Sequence, residues 1–192
     1  MVVQHLVSWS WQGPRSGELN SDYPIIMILV LLGGLAAPLF VVLSGMGVKI
    51  LHDHTQESNS YQFKRKMVLR GGILILLGYL LNFLTPSWLG IQSWYILHLI
   101  GLGVLVSPWS TKLSIKKIIL FSACIFLFNS WVHIVLEIPN SFSTGMMNAE
   151  SRMNSNTPSG LYLVYVACFQ GQFPIFPWMV LFLFGHILTL YL

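Results

Sequence analysis

Charge is what this sequence has least of. Only 8% of its 192 residues are Asp, Glu, Lys or Arg, against 55% that are hydrophobic, whereas soluble domains carry about a quarter charged residues. That leaves too little polar surface to coat a water-soluble core. A mean hydropathy of +0.70 points the same way, to an integral membrane protein. Cysteine is scarce as well. Cys124 and Cys168 both sit in apolar runs, which excludes a disulfide framework or a Cys/His zinc module and leaves packing as their role. A basic n-region is missing from the N-terminus, and its short apolar run ends in Trp9-Ser10-Trp11 without a small-x-small cleavage site, so it does not read as a signal peptide. A net charge of +4 would suggest nucleic acid in a soluble protein. Here the basic residues lie in short clusters between apolar runs, and no RNA- or DNA-binding motif accompanies them.

What is present is a series of apolar stretches. Crossing the hydrocarbon takes about 20 apolar residues in a helix. Residues 24–50, 67–84, 94–106 (with help from their flanks), 117–136 and 173–192 meet that need. Met1–Trp11 is half a span, and Leu161–Phe169 is a short apolar segment. The expected fold is all-α: a polytopic transmembrane helix bundle with five full spans, a partial first span and a short apolar segment before the last.

The loops orient it. The connection from His52 to Lys66 is flanked by Lys49, Lys64, Arg65, Lys66 and Arg70, and that from Ser110 to Lys117 carries Lys112, Lys116 and Lys117. Thr85–Ser93 has no charge, and the segments 12–23 and 138–160 hold one Arg each beside acidic residues. Basic and non-basic loops alternate, so the basic ones are expected inside. His52 and His54, in a polar loop, are expected to be solvated.

Ionisable groups within a membrane are costly and suggest function. His5, His98 and His186 lie well inside apolar runs, and His133 nearer an end. Each suits a general base, or a hydrogen bond to a neighbouring helix. Without an i, i+3 or i, i+4 pair among them, they do not suggest a metal site. The glycines Gly33, Gly34, Gly45, Gly47, Gly71, Gly72, Gly101 and Gly103 are accounted for by close helix packing, and none builds a phosphate-binding loop. Lys64, Arg65, Lys66 and Arg70 stand where a helix begins on the basic side. They could hold a phosphorylated ligand, or only fix topology.

Three stretches carry a resemblance. "APLFVVLSGMGVKI" (Ala37–Ile50), "WYILHLIGLGVLV" (Trp94–Val106) and "FPIFPWMVLFLFGHIL" (Phe173–Leu188) resemble, in order, helices of the heparan-alpha-glucosaminide N-acetyltransferase catalytic-domain family of membrane acyltransferases. The double-proline Phe-Pro-x-Phe-Pro-Trp is the most specific of them. Arg70 with "GGILILLGYLLN" fits the arginine-led helix between the first two. The likeness runs over nearly the whole chain and implies a single transmembrane acyltransferase-like domain over residues 1–192.

That resemblance implies an integral membrane enzyme that moves an acetyl group from cytosolic acetyl-CoA, the acyl donor, to an amine or hydroxyl of a sugar-type acceptor, with no metal. "MVVQH" matches the tail of the family's first helix and puts His5 on its histidine, as general base or acetyl carrier. His98, Ser44 and Trp178 are implied to line the cavity, and Lys64, Arg65, Lys66 and Arg70 to meet the CoA phosphates. The Arg-Gly that leads the family's first helix would precede Met1, so the chain reads as incomplete relative to the family at both ends. Other readings are a bacterial envelope polysaccharide O-acyltransferase, a small transporter lined by the same histidines, or an inactive fragment. The expected location is a prokaryotic inner membrane.

Overall fold

A computed structural model describes residues 24–55, 60–85, 93–135, 159–170, 173–189 and 191. His5 and the expected half-span Met1–Trp11 lie outside them. Among the described residues the chain is helical and has no strands: α1 (Pro24–Thr55), α2 (Ser60–Leu84), α3 (Ile96–Ser110), α4 (Ile115–Val135), α5 (Ser159–Tyr165) with a π-helical turn Val166–Gln170, and α6 (Ile175–Leu188). The chain divides into two units, Met1–Phe40 and Val41–Leu192. The described part of the first is the opening stretch of α1. All packing below is within the second.

Among the described residues, three helices are long and apolar enough to cross a membrane: residues Gly34–Thr55 of α1, Tyr61–Leu84 of α2 and Ile115–Val135 of α4. α3 and α6 are shorter, at 15 and 14 residues, or about 22 and 21 Å at 1.5 Å per residue. Of the five full spans expected, three have crossing length among the described residues, and α3 and α6 fall short of the roughly 20 residues a span takes. Large apolar side chains such as Leu76 on α2, and Leu120, Leu127 and Ile134 on α4, are exposed. On long helices apolar all round, that is the surface a bilayer covers, and the protein is an integral membrane protein.

Local chemistry explains the ends of the short helices. Tyr95 and Pro174 are extended residues that precede α3 and α6. Phe176 has φ −99° and ψ 120°, as the residue before a proline prefers, and Pro177 falls in the first turn, where its missing N–H costs nothing. α3 runs past the expected Val106 end to Ser110 and contains Pro108. That proline cannot donate to the Val104 carbonyl, and the Ser107 hydroxyl donates to it instead at 2.6 Å.

Register follows from the contacts. Asn82 Nδ2 donates to the Ser93 carbonyl at 2.8 Å, Gly78 faces His98, and Gly71 faces Gly101 and Leu105. α2 and α3 are therefore an antiparallel pair. A Cβ on Gly71 would lie 2.6 Å from the Gly101 oxygen and 2.8 Å from the Leu105 nitrogen, so the two backbones touch. α6 is wedged beside them. Fully buried Phe182 packs its ring against Gly103, and its carbonyl lies against Gly45, while Gly185 lies against Val42 and Met46. Val41, Met67, Leu99, Val104, Met179 and Phe182 belong to the main core. Ile118, Ile125 and Leu183 join α4 to α6 in a second one. Gly45, Gly71, Gly101 and Gly103 are thus close-packing glycines. Gly34, Gly47 and Gly72, expected to be so, would meet nothing within 4 Å on gaining a Cβ.

Candidate functional site

Two fully buried histidines stand at opposite ends of the bundle. His98, in the first turn of α3, is held at the end away from the basic loops. The Tyr95 backbone N–H donates to its Nδ1 at 3.1 Å. Nδ1 is therefore an acceptor, and in the neutral ring the proton sits on Nε2. Trp94 stacks on the imidazole with centroids 5.2 Å apart, and Tyr79 meets it edge-on at 4.4 Å. Gly78 makes the room: a Cβ there would be 2.7 Å from Nε2. His98 is 0% exposed, and neither its Nε2 nor the Trp94 Nε1 has a hydrogen-bond partner among the described residues. This histidine offers a donor, and its accepting nitrogen is already engaged.

His186, near the C-terminal end of α6, is also 0% exposed, and both its ring nitrogens lack a hydrogen-bond partner among the described residues. Phe182, one turn earlier, meets the ring edge-on at 5.1 Å. Beside His186 opens a cleft of about 430 Å³, lined further by Lys49, Leu113, Ser114, Ile115, Lys116 and Ile118. It lies at the end that carries the basic loops. The Lys49 ammonium donates to the Asp53 carboxylate at 2.8 Å and to the Thr111 carbonyl at 3.4 Å. Lys116 is exposed in the first turn of α4, whose opening residues Ile115 and Lys116 form part of the wall. Two cations, a helix N-terminus and an unpaired buried imidazole thus share one opening with apolar sides.

The sequence-expected site residues are dispersed by comparison. Ser44 is half-buried on α1 beside Gly45, and Trp178 is half-buried against Phe173, with rings 4.9 Å apart. Lys64, Arg65, Lys66 and Arg70 are exposed along α2, with the Lys64 ammonium 5.1 Å from the centre of the Trp109 ring, a cation–π contact. None of these residues, nor His98, lines the cleft. His5 is outside the described residues. Sequence reasoning missed Lys49 and Lys116 as a pair because 67 residues separate them and each reads as a topology-setting charge. His52 corrects another expectation. It is not in a solvated loop but in the last turn of α1, buried, with Nδ1 3.0 Å from the Asp53 carboxylate and its ring edge-on to Phe63. His54 is exposed. The polar loop shrank because α1 and α2 extend into it, leaving four residues between them. Among the described residues no group of three or more His, Cys, Asp or Glu gathers in a way that could hold a metal.

Compared with known proteins, the sequence matches the family model described as "Heparan-alpha-glucosaminide N-acetyltransferase, catalytic" over residues 1–192. No curated protein and no solved structure matches it.

Proposed function

Because the chain belongs to the heparan-alpha-glucosaminide N-acetyltransferase catalytic family, whose activity is membrane acetyl transfer, we propose that it moves an acetyl group from cytosolic acetyl-CoA to an amine or hydroxyl of a sugar-type acceptor. The observation that carries the reading is the match over the whole chain, joined to an apolar body that among the described residues is helical, with three helices of membrane-crossing length. The thioester donor supplies an activated carbonyl. The acceptor's nitrogen or oxygen attacks that carbon, a C–N or C–O bond forms and the C–S bond breaks. The proton lost by the acceptor ends on the departing sulfur. His5 is the residue we assign to carry that proton, as general base. His98 is assigned to the acceptor side of the cavity with Ser44 and Trp178, where its Nε2–H is a donor suited to an acceptor oxygen or a carbonyl. Lys64, Arg65, Lys66 and Arg70 supply positive potential around the donor's phosphates. The membrane of residence is proposed to be a prokaryotic inner membrane.

The test is acetyl transfer in membranes that contain the full chain, using radiolabelled acetyl-CoA and a panel of amino sugars and polysaccharides. Labelled N-acetyl product is expected, and its loss in His5→Ala at unchanged protein level. Label confined to hydroxyls would favour an envelope polysaccharide O-acyltransferase. Flux of a solute without acetyl transfer would replace the enzyme reading with a transporter.

A further inference from the structure

Beside the seam where Gly71 meets Gly101 and Leu105, α2 and α3 leave an open groove, and we infer that it holds an anionic phospholipid, with its headgroup at the basic end and an acyl chain along the helices. The α2 edge is Lys64, Val68 and Gly72, all exposed. Residues four apart fall on one side of a helix. The α3 edge is Trp109 and Val106, three apart and also exposed. The Lys64 ammonium lies 5.1 Å from the centre of the Trp109 ring, which puts the two edges on the same side of the seam. Gly72 keeps the channel open, since a Cβ there would meet nothing within 4 Å. Charge is concentrated at one end of it. Arg65 is exposed next to Lys64, and Lys112 is exposed in the turn that follows Trp109, its backbone N–H donating to the Trp109 carbonyl at 3.3 Å. Asp53 is the one acidic residue among the described residues, and it is paired with Lys49 and His52. Lys64, Arg65 and Lys112 therefore have no carboxylate partner among the described residues.

Lipid covers any apolar flank of a membrane helix. What sets this flank apart is the order of its chemistry along the helices: unpaired cations, then an indole, then an open apolar channel. That is the order of a phospholipid from headgroup to tail. The phosphodiester meets Lys64 and Lys112, whose long stems lie along apolar surface while their ammonium groups reach the headgroups. The Trp109 indole, apolar with one N–H donor, suits the ester level between headgroup and chain. The chain passes Val68 and Val106 and lies against Gly72. A choline or ethanolamine headgroup would bring its own cation among the lysines, so a net negative headgroup is preferred. One cation near the surface attracts an anionic lipid about fivefold. In the donor reading Lys64 acts through its potential at a distance, so its contact with a headgroup is compatible with that role.

The full chain is reconstituted in nanodiscs with equal amounts of phosphatidylcholine and phosphatidylglycerol, and the lipids it retains are counted by native mass spectrometry. The wild type is expected to retain phosphatidylglycerol in preference to phosphatidylcholine. Lys64→Gln and Lys112→Gln should each lower that retention about fivefold. Gly72→Leu fills the channel without touching a cation and should lower it by a similar factor, as should Trp109→Leu. Lys117→Gln, exposed in the first turn of α4, is expected to change it by less than about twofold. All these positions are exposed, so the variants keep the fold, which circular dichroism checks. Loss in the lysine variants but not in Gly72→Leu means diffuse attraction to the basic end and overturns the site. Equal retention of the two lipids overturns it as well, and so does displacement of the lipid by excess coenzyme A. Retention is read without acetyl transfer, so a chain that transfers no acetyl group loses the proposed function and keeps this site.

Discussion

Gly71 and Gly72 are neighbours in the sequence with opposite surroundings, and substituting each by alanine tests how α2 meets α3. A Cβ on Gly71 would lie 2.6 Å from the Gly101 carbonyl oxygen, 2.8 Å from the Leu105 nitrogen and 2.9 Å from the Leu105 Cβ. Two of these are backbone atoms of the facing helix and cannot swing aside. Ordinary van der Waals contact begins near 3.4 Å, so the helices must part by several tenths of an ångström along a seam that also includes Gly78 against His98. Overpacking of this kind costs about 1–3 kcal/mol. It is offset by up to about 1 kcal/mol because alanine is the better helix former. A Cβ on Gly72 meets nothing within 4 Å, so Gly72→Ala keeps the propensity gain without the clash. The two variants should therefore differ in unfolding free energy by about 1–3 kcal/mol, with Gly72→Ala at or above wild type. The assay is reversible unfolding of the purified protein in mixed micelles by titration with sodium dodecyl sulfate, followed by far-ultraviolet circular dichroism. Equal stabilities, or the reverse order, would refute the backbone contact between α2 and α3 and with it the placement of His98 against Gly78.

Two further substitutions probe the ends of the bundle. Asn82→Leu removes the 2.8 Å bond to the buried Ser93 carbonyl and should cost about 1–3 kcal/mol in the same titration; an unchanged midpoint would refute its role in joining α2 to the start of α3. Asp53→Asn alters both the i, i+4 pair with Lys49 and the contact with His52 Nδ1, on a carboxylate that is half exposed, so it should cost no more than about 1 kcal/mol in that titration; a larger loss would refute the solvent-screened character of these contacts.

How far the sequence reaches can be argued from these residues. An apolar run of about 20 residues with almost no charge has one outcome in a bilayer, because only a helix satisfies its own backbone there. The long helices and the membrane class could be read directly, and the Phe-Pro-x-Phe-Pro-Trp and Ile-Leu-His stretches carried the family. Local chemistry was less accessible. Nothing in the run 94–106 announced that α3 would pass through Pro108, because the repair lies in one hydroxyl, that of Ser107, and its rotamer. The polar stretch from His52 read as loop because its composition is that of a loop, yet Phe63 and Asp53 give His52 a buried place on a helix.

What tertiary structure alone decided is which way each residue faces. A helix in water advertises its buried face through an amphipathic pattern. Helices that are apolar all round do not, since lipid and protein accept the same side chains. Gly71 and Gly72, or Lys116 and Lys117, are equivalent as letters. Only the register of one helix against another makes Gly71 a contact, brings Lys116 and Lys49 to one cleft, and buries His186 beside Phe182.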